Sequence, residues 1–183
     1  MTRILIAGVG NLFLGDDAFG IEVIRHLRGQ PQRDGVRVED FGIRGIDLTY
    51  ALLDGVDLAI LVDATRRGAA PGSLYLLEPG QAAQLPPDAQ QQAALFSPHE
   101  MQPDKVLHAV GLLGGQCTRV LVLGCEPESL GTEDGQEGRI GLSGVVAAAV
   151  GPAIVMIESL IESLLDEAAS PHAFGTFMNQ SGR

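Results

Sequence analysis

A chain of 183 residues with 45% hydrophobic side chains, no Trp and two Tyr is long enough for one domain with an aliphatic core and too short for two of ordinary size. Its 12 Lys and Arg against 23 Asp and Glu give a net charge of -11, which argues against binding nucleic-acid phosphates, since that depends on clustered Lys and Arg. The N-terminus lacks the charged, apolar and small-residue regions of a secretory signal, and the weakly polar run 142–157 is shorter than a membrane span, so a cytoplasmic protein with no membrane partner is expected.

In chain order, residues 3–9 form a short β-branched apolar run that predicts a first strand, followed by the glycine turn Gly8-Val-Gly10-Asn11. A helix over 16–28 follows, with Phe19, Val23, Ile24 and Leu27 at helical spacing and Asp16 placed as its N-cap. Residues 36–41 alternate enough for a half-buried strand, 42–45 read as a turn, and 47–53 as a short helix. The run 57–63 is apolar between two aspartates, as expected of a strand covered on both faces. Pro71-Gly72 is a turn before a strand at 73–77. The Gln-, Ala- and Pro-rich stretch 79–98 predicts a lid-like loop, and Pro103 opens a helix to about residue 113. A fifth strand at 119–124 and a glycine- and acid-rich loop to 138 precede a long helix capped by Ser143 and running to about 167, in which Pro152 introduces a kink or marks the start. Cys117 and Cys125 lack Cys-x-x-Cys spacing and read as small core residues. Alternating strands and helices predict one α/β domain, a three-layer α/β/α sandwich with a mostly parallel central sheet, over residues 1–168, with a disordered tail at 169–183.

The glycine turn could cradle a dinucleotide, but position 13 is Phe where a third glycine is needed, and Asp16 and Asp17 stand where a pyrophosphate would meet the helix. The charge of the expected ligand is therefore positive. In a parallel sheet the ends of the first and third strands lie on one edge, which brings Asp17 near Asp63, and the long loop can carry His99 of Ser97-Pro-His99 across it. Two carboxylates and one imidazole suit nickel, zinc or another first-row divalent ion. Each residue also has a plainer reading: Asp16 as a cap, Asp17 as a helix-dipole partner, Asp63 as a solvated loop residue, and His99 as a surface group. His108 fits helix packing, and His26 and His172 fit the surface. Neither Gly-x-Ser-x-Gly nor His-Glu-x-x-His occurs, so hydrolysis needs water activated by a metal or a carboxylate.

Gly8-Val-Gly-Asn-Leu-Phe-Leu-Gly-Asp-Asp-Ala-Phe-Gly20 resembles the opening of the hydrogenase maturation endopeptidases, which remove a C-terminal extension from the large subunit of nickel-iron hydrogenases. The resemblance extends through Leu61-Val-Asp-Ala64, Pro71-Gly72, Ser97-Pro-His99, Gly124-Cys-Glu-Pro-Glu-Ser129 and Gly141-Leu-Ser143, spanning about residues 3–165. It implies a phosphorylase/hydrolase-like fold, a metal surrounded by Asp17, Asp63 and His99, and substrate recognition by the loop Asp40-Phe-Gly-Ile-Arg-Gly45, where Phe41 and Ile43-Arg44 depart from the common Asp-Gly-Gly-Thr form. The expected partner is the large-subunit precursor. It supplies the nickel, so no tightly bound resident cofactor is expected, and the protease acts as a monomer. Asp16 is a candidate base. A non-catalytic nickel-recognition or chaperone module and a nucleotide-binding α/β protein are the competing readings.

Overall fold

In the computed structural model, the described residues are 3–78, 110, 119–131 and 140–169. They contain the strands β1 (Ile4–Val9), β2 (Val36–Gly42), β3 (Leu58–Ala64), β4 (Leu74–Leu77) and β5 (Arg119–Cys125), and the helices α1 (Phe19–Arg28), α2 (Gly45–Leu53) and α3 (Gly144–Ala169). The strands form one sheet in the order β2-β1-β3-β5-β4. All neighbours are parallel except β4, which runs antiparallel to β5 at one edge.

The unbroken apolar runs of β1 and β3 follow from burial on both faces. Ile4 and Ile6 of β1, with Leu58, Ile60 and Val62 of β3, pack under α1 and α3 against Phe19, Val23, Ile24, Val146, Ala153 and Ile157. On the other face, Leu5, Ala7, Ala59 and Leu61 meet Leu48 and Leu52 of α2. These two clusters are the two interfaces of the three-layer sandwich the sequence predicts. The stripe Phe19, Val23, Ile24 and Leu27 is buried as its spacing requires. Truncating a side chain as enclosed as Phe19 costs about 3–5 kcal/mol.

Several boundaries differ from expectation. Residues 15–18 form a 3-10 turn, and α1 starts at Phe19 without any side-chain cap, so Asp16 is not its N-cap. Helix α2 begins at Gly45 rather than residue 47, and β3 runs one residue further, to Ala64. Helix α3 passes through Pro152 without interruption from Gly144. By length and composition alone, Gly144–Leu165 could cross a membrane, yet here Val146, Val150, Ala153, Ile157 and Ile161 line the core. The predicted helix from Pro103 lies outside the described residues apart from the helical Val110, as do the 79–98 loop, Cys117, His99, His108 and the tail from 170.

Candidate active site

The first strand ends in a turn that folds back on itself. Gly10 has φ +133, and a Cβ placed there would lie 1.8 Å from the carbonyl oxygen of Asp17. Only glycine allows so close an approach in that backbone conformation. The Asn11 amide donates to Asp17 Oδ2 at 2.8 Å, and the Asn11 side chain accepts from the Phe13 amide at 3.0 Å, fixing the turn from both sides. One turn later Gly20 presses α1 onto the sheet: a Cβ there would meet the carbonyl oxygens of Val62 at 2.1 Å and Val9 at 2.4 Å. Close approach at Gly10 and Gly20 therefore sets Asp17 over the ends of β1 and β3.

Asp63 reaches the same edge from β3, where it is level with Gly124 of β5. Its side chain is buried, at 9% exposure. Burial pushes its carboxyl up to about 7, the nearby charge of Asp17 pushes in the same direction, and a hydrogen bond from the Ala64 backbone opposes both. Asp17 is raised too, by burial, with the Asn11 amide opposing. Desolvation and like charge both favour the protonated carboxyl. Neither aspartate has a cationic partner among the described residues. Such a pair can share a proton near neutral pH or bind a cation that relieves its repulsion.

The neighbouring acids are spent on structure. Asp16 is 1% exposed, and its carboxylate accepts from the amides of Glu128, Ser129 and Ser143 and from the Ser143 hydroxyl. At that exposure and with four donors on its oxygens, Asp16 faces the interior and not the sheet edge, contrary to its expected role as a base. Glu126 accepts from the amides of Arg67, Gly68 and Ala69 and from the Tyr75 hydroxyl. These bonds hold its carboxyl below the usual range, the Tyr75 bond contributing most.

A model of the family described as hydrogenase maturation protease matches residues 21–160. The chain belongs to the hydrogenase maturation protease family. It is 30% identical over 175 residues to the hydrogenase 2 maturation protease of Escherichia coli K12, covering 91% of this chain and 98% of that one. A putative hydrogenase maturation protease of Methanocaldococcus jannaschii is 32% identical over 158 residues, covering 84% and 93%. Among solved structures, the hydrogenase maturating endopeptidase HybD from Escherichia coli superposes with a TM-score of 0.66 at 29% identity, covering 88% of this chain and 94% of that one. The protein is therefore a peptidase, a hydrolase of the endopeptidase kind, which replaces both the chaperone and the nucleotide-binding readings.

Of the three residues expected at the protease's site, Asp17 and Asp63 come together at the carboxyl edge of the sheet, where open α/β folds place ligands. His99 lies outside the described residues. Among the described residues no three His, Cys, Asp or Glu side chains gather as a metal site, so the aspartate pair is at most part of one. Glu126 was missed as a structural anchor; its only signal in the sequence is an acid immediately after an apolar strand, in the island Gly124-Cys-Glu-Pro-Glu-Ser129.

Proposed function

We propose that the protease cleaves the C-terminal extension from a nickel-iron hydrogenase large-subunit precursor once nickel has been inserted, with Asp17, Asp63 and His99 facing that nickel. The observation that carries the proposal is the Asp17–Asp63 pair: two desolvated carboxylates side by side at a ligand-binding edge, with no cation beside them among the described residues. The residues fit a divalent ion in kind, since carboxylate oxygens joined by one imidazole make an incomplete set that leaves positions for ligands from the precursor. Binding in this way needs no resident cofactor and no second copy of the chain. A divalent ion bound there polarises a carbonyl or lowers the pKa of a water.

The protein's own residues do the rest. Asp63, its carboxyl pushed up to about 7 by burial and the charge of Asp17, can hold or release a proton at its Oδ atoms near neutral pH. Asp17 is oriented by the Asn11 amide and faces the same space from the β1 side. The relatives' names support hydrogenase maturation as the setting, and the fold similarity supports a single-domain peptidase.

The test is to incubate nickel-loaded precursor with wild type and with Asp17→Asn, Asp63→Asn and His99→Ala, then read the precursor's mass. Loss of cleavage in all three is expected. Release of the extension at the wild-type rate by the variants would end the site assignment. Equal cleavage of nickel-free and nickel-loaded precursor would end the nickel-gating part alone.

A further inference from the structure

The segment leaving β5 ties together the two stretches of backbone that carry the aspartate pair. Glu126 takes hold of the loop that follows Asp63: its carboxylate accepts from Arg67 N at 2.8 Å, Gly68 N at 3.1 Å and Ala69 N at 3.3 Å, with Tyr75 Oη donating to the same group. The same stretch is pinned by backbone bonds, Thr65 N to Cys125 O at 2.9 Å and Gly72 N to Glu126 O at 2.8 Å. Immediately downstream, the amides of Glu128 and Ser129 donate to Asp16 Oδ2 at 2.9 and 3.1 Å. Asp16 N returns a bond to Ser129 O at 3.1 Å. Ser143 closes the set with its amide on Oδ1 at 2.6 Å and its hydroxyl on Oδ2 at 3.0 Å, and that hydroxyl accepts from Val146 N in the first turn of α3. Asp16 is the residue before Asp17, and the Glu126-bound loop starts two residues after Asp63.

We propose that Asp16 and Glu126 are positioning residues: two carboxylates that touch no substrate and set the separation and orientation of Asp17 and Asp63 by binding both carrying loops to residues 124–129. The proposal rests on Asp17 and Asp63 being the reacting pair. Its physical basis is that a carboxylate accepting several backbone amides makes strong, charge-assisted bonds and has no slack to move. A side chain in solvent could fold a loop as well, but it would not define its position to a fraction of an ångström.

Steady-state cleavage of the nickel-loaded precursor by the full chain tests this, with kcat and KM expressed per folded molecule. The variants are Asp16→Asn, Glu126→Gln and the milder Ser143→Ala and Tyr75→Phe, each of which removes donors while leaving a carboxylate in place. Because misplacement by about 1 Å costs about a hundredfold in rate, Asp16→Asn and Glu126→Gln are expected to lower kcat by that order, and the milder pair by about three- to tenfold, with KM within about twofold of wild type. A purely structural role lowers the melting temperature and leaves kcat per folded molecule unchanged; that result overturns the proposal. So does a raised KM with unchanged kcat, which indicates contact with substrate. If either severe variant fails to fold, Ser143→Ala and Tyr75→Phe decide. Asp17→Asn and Asp63→Asn run in parallel: full activity in those two condemns the site reading, whereas their inactivity beside unaffected positioning variants condemns only the positioning claim.

Discussion

Replacing Asp63 by Asn should make the protein more stable and inactive. In the folded protein the carboxyl titrates at about 7, against 3.8 in its unperturbed state, because burial and then the charge of Asp17 disfavour ionisation. Between those values the native state holds the proton that the unfolded state has lost, so this group makes stability fall as pH rises from about 4 to about 7, and not change further above that window. A carboxyl raised from 3.8 to about 7 costs the folded state at most about 4 kcal/mol above that window. Asn has nearly the same shape and no charge to lose. The difference in unfolding free energy between Asp63→Asn and wild type should therefore be under about 1 kcal/mol near pH 4 and reach about 2–4 kcal/mol at pH 8, equivalent to a midpoint several degrees higher. Urea unfolding of both proteins across that range, with a chelator present, measures the difference directly and cancels the carboxylates remote from the pair. A variant less stable than wild type at pH 8, or a difference independent of pH, would show that Asp63 is not held in a desolvated, like-charged setting.

Gly10→Ala should strain both the backbone, at φ +133, and the 1.8 Å approach to Asp17 O, lowering stability by about 2–3 kcal/mol and cutting cleavage per folded molecule by more than about tenfold. Thermal melts beside a precursor-cleavage assay separate the two effects. Arg33→Ala breaks the Arg33–Glu162 ion pair at 3.0 Å, but its side chains are 44% and 63% exposed, so urea unfolding should change by less than about 1 kcal/mol. The net charge of -11 favours encounter with a basic or metal-bearing face. Hence kcat/KM on the precursor should fall as salt rises to about 0.5 M while kcat stays level.

The sheet was legible because its strands obey local rules. β1, β3 and β5 are apolar on both faces, and that pattern needs no knowledge of distant partners. The meeting of Asp17 with Asp63 was legible for the same reason, since parallel strands deliver their ends to one edge. Asp16 was misread because an acid before a helix is locally a cap, whereas its true donors lie 112, 113 and 127 residues away. Glu126 escaped notice likewise, its partners being 51 to 59 residues distant. No period or spacing rule reaches across such intervals; only the completed sheet brings β5 beside β3.

The contrast between Asp16 and Asp17 explains why the turn between β1 and α1 is a 3-10 turn rather than a helical start. With three residues per turn, successive side chains point about 120° apart, so two adjacent carboxylates can face quite different surroundings. Asp16 turns inward to four donors at 1% exposure. Asp17 turns to the sheet edge, where among the described residues it accepts one bond, from the Asn11 amide, and Asp63 is its neighbour. A buried carboxylate with its lone pairs filled resists change, whereas one placed beside a like charge gains free energy from a proton or a cation.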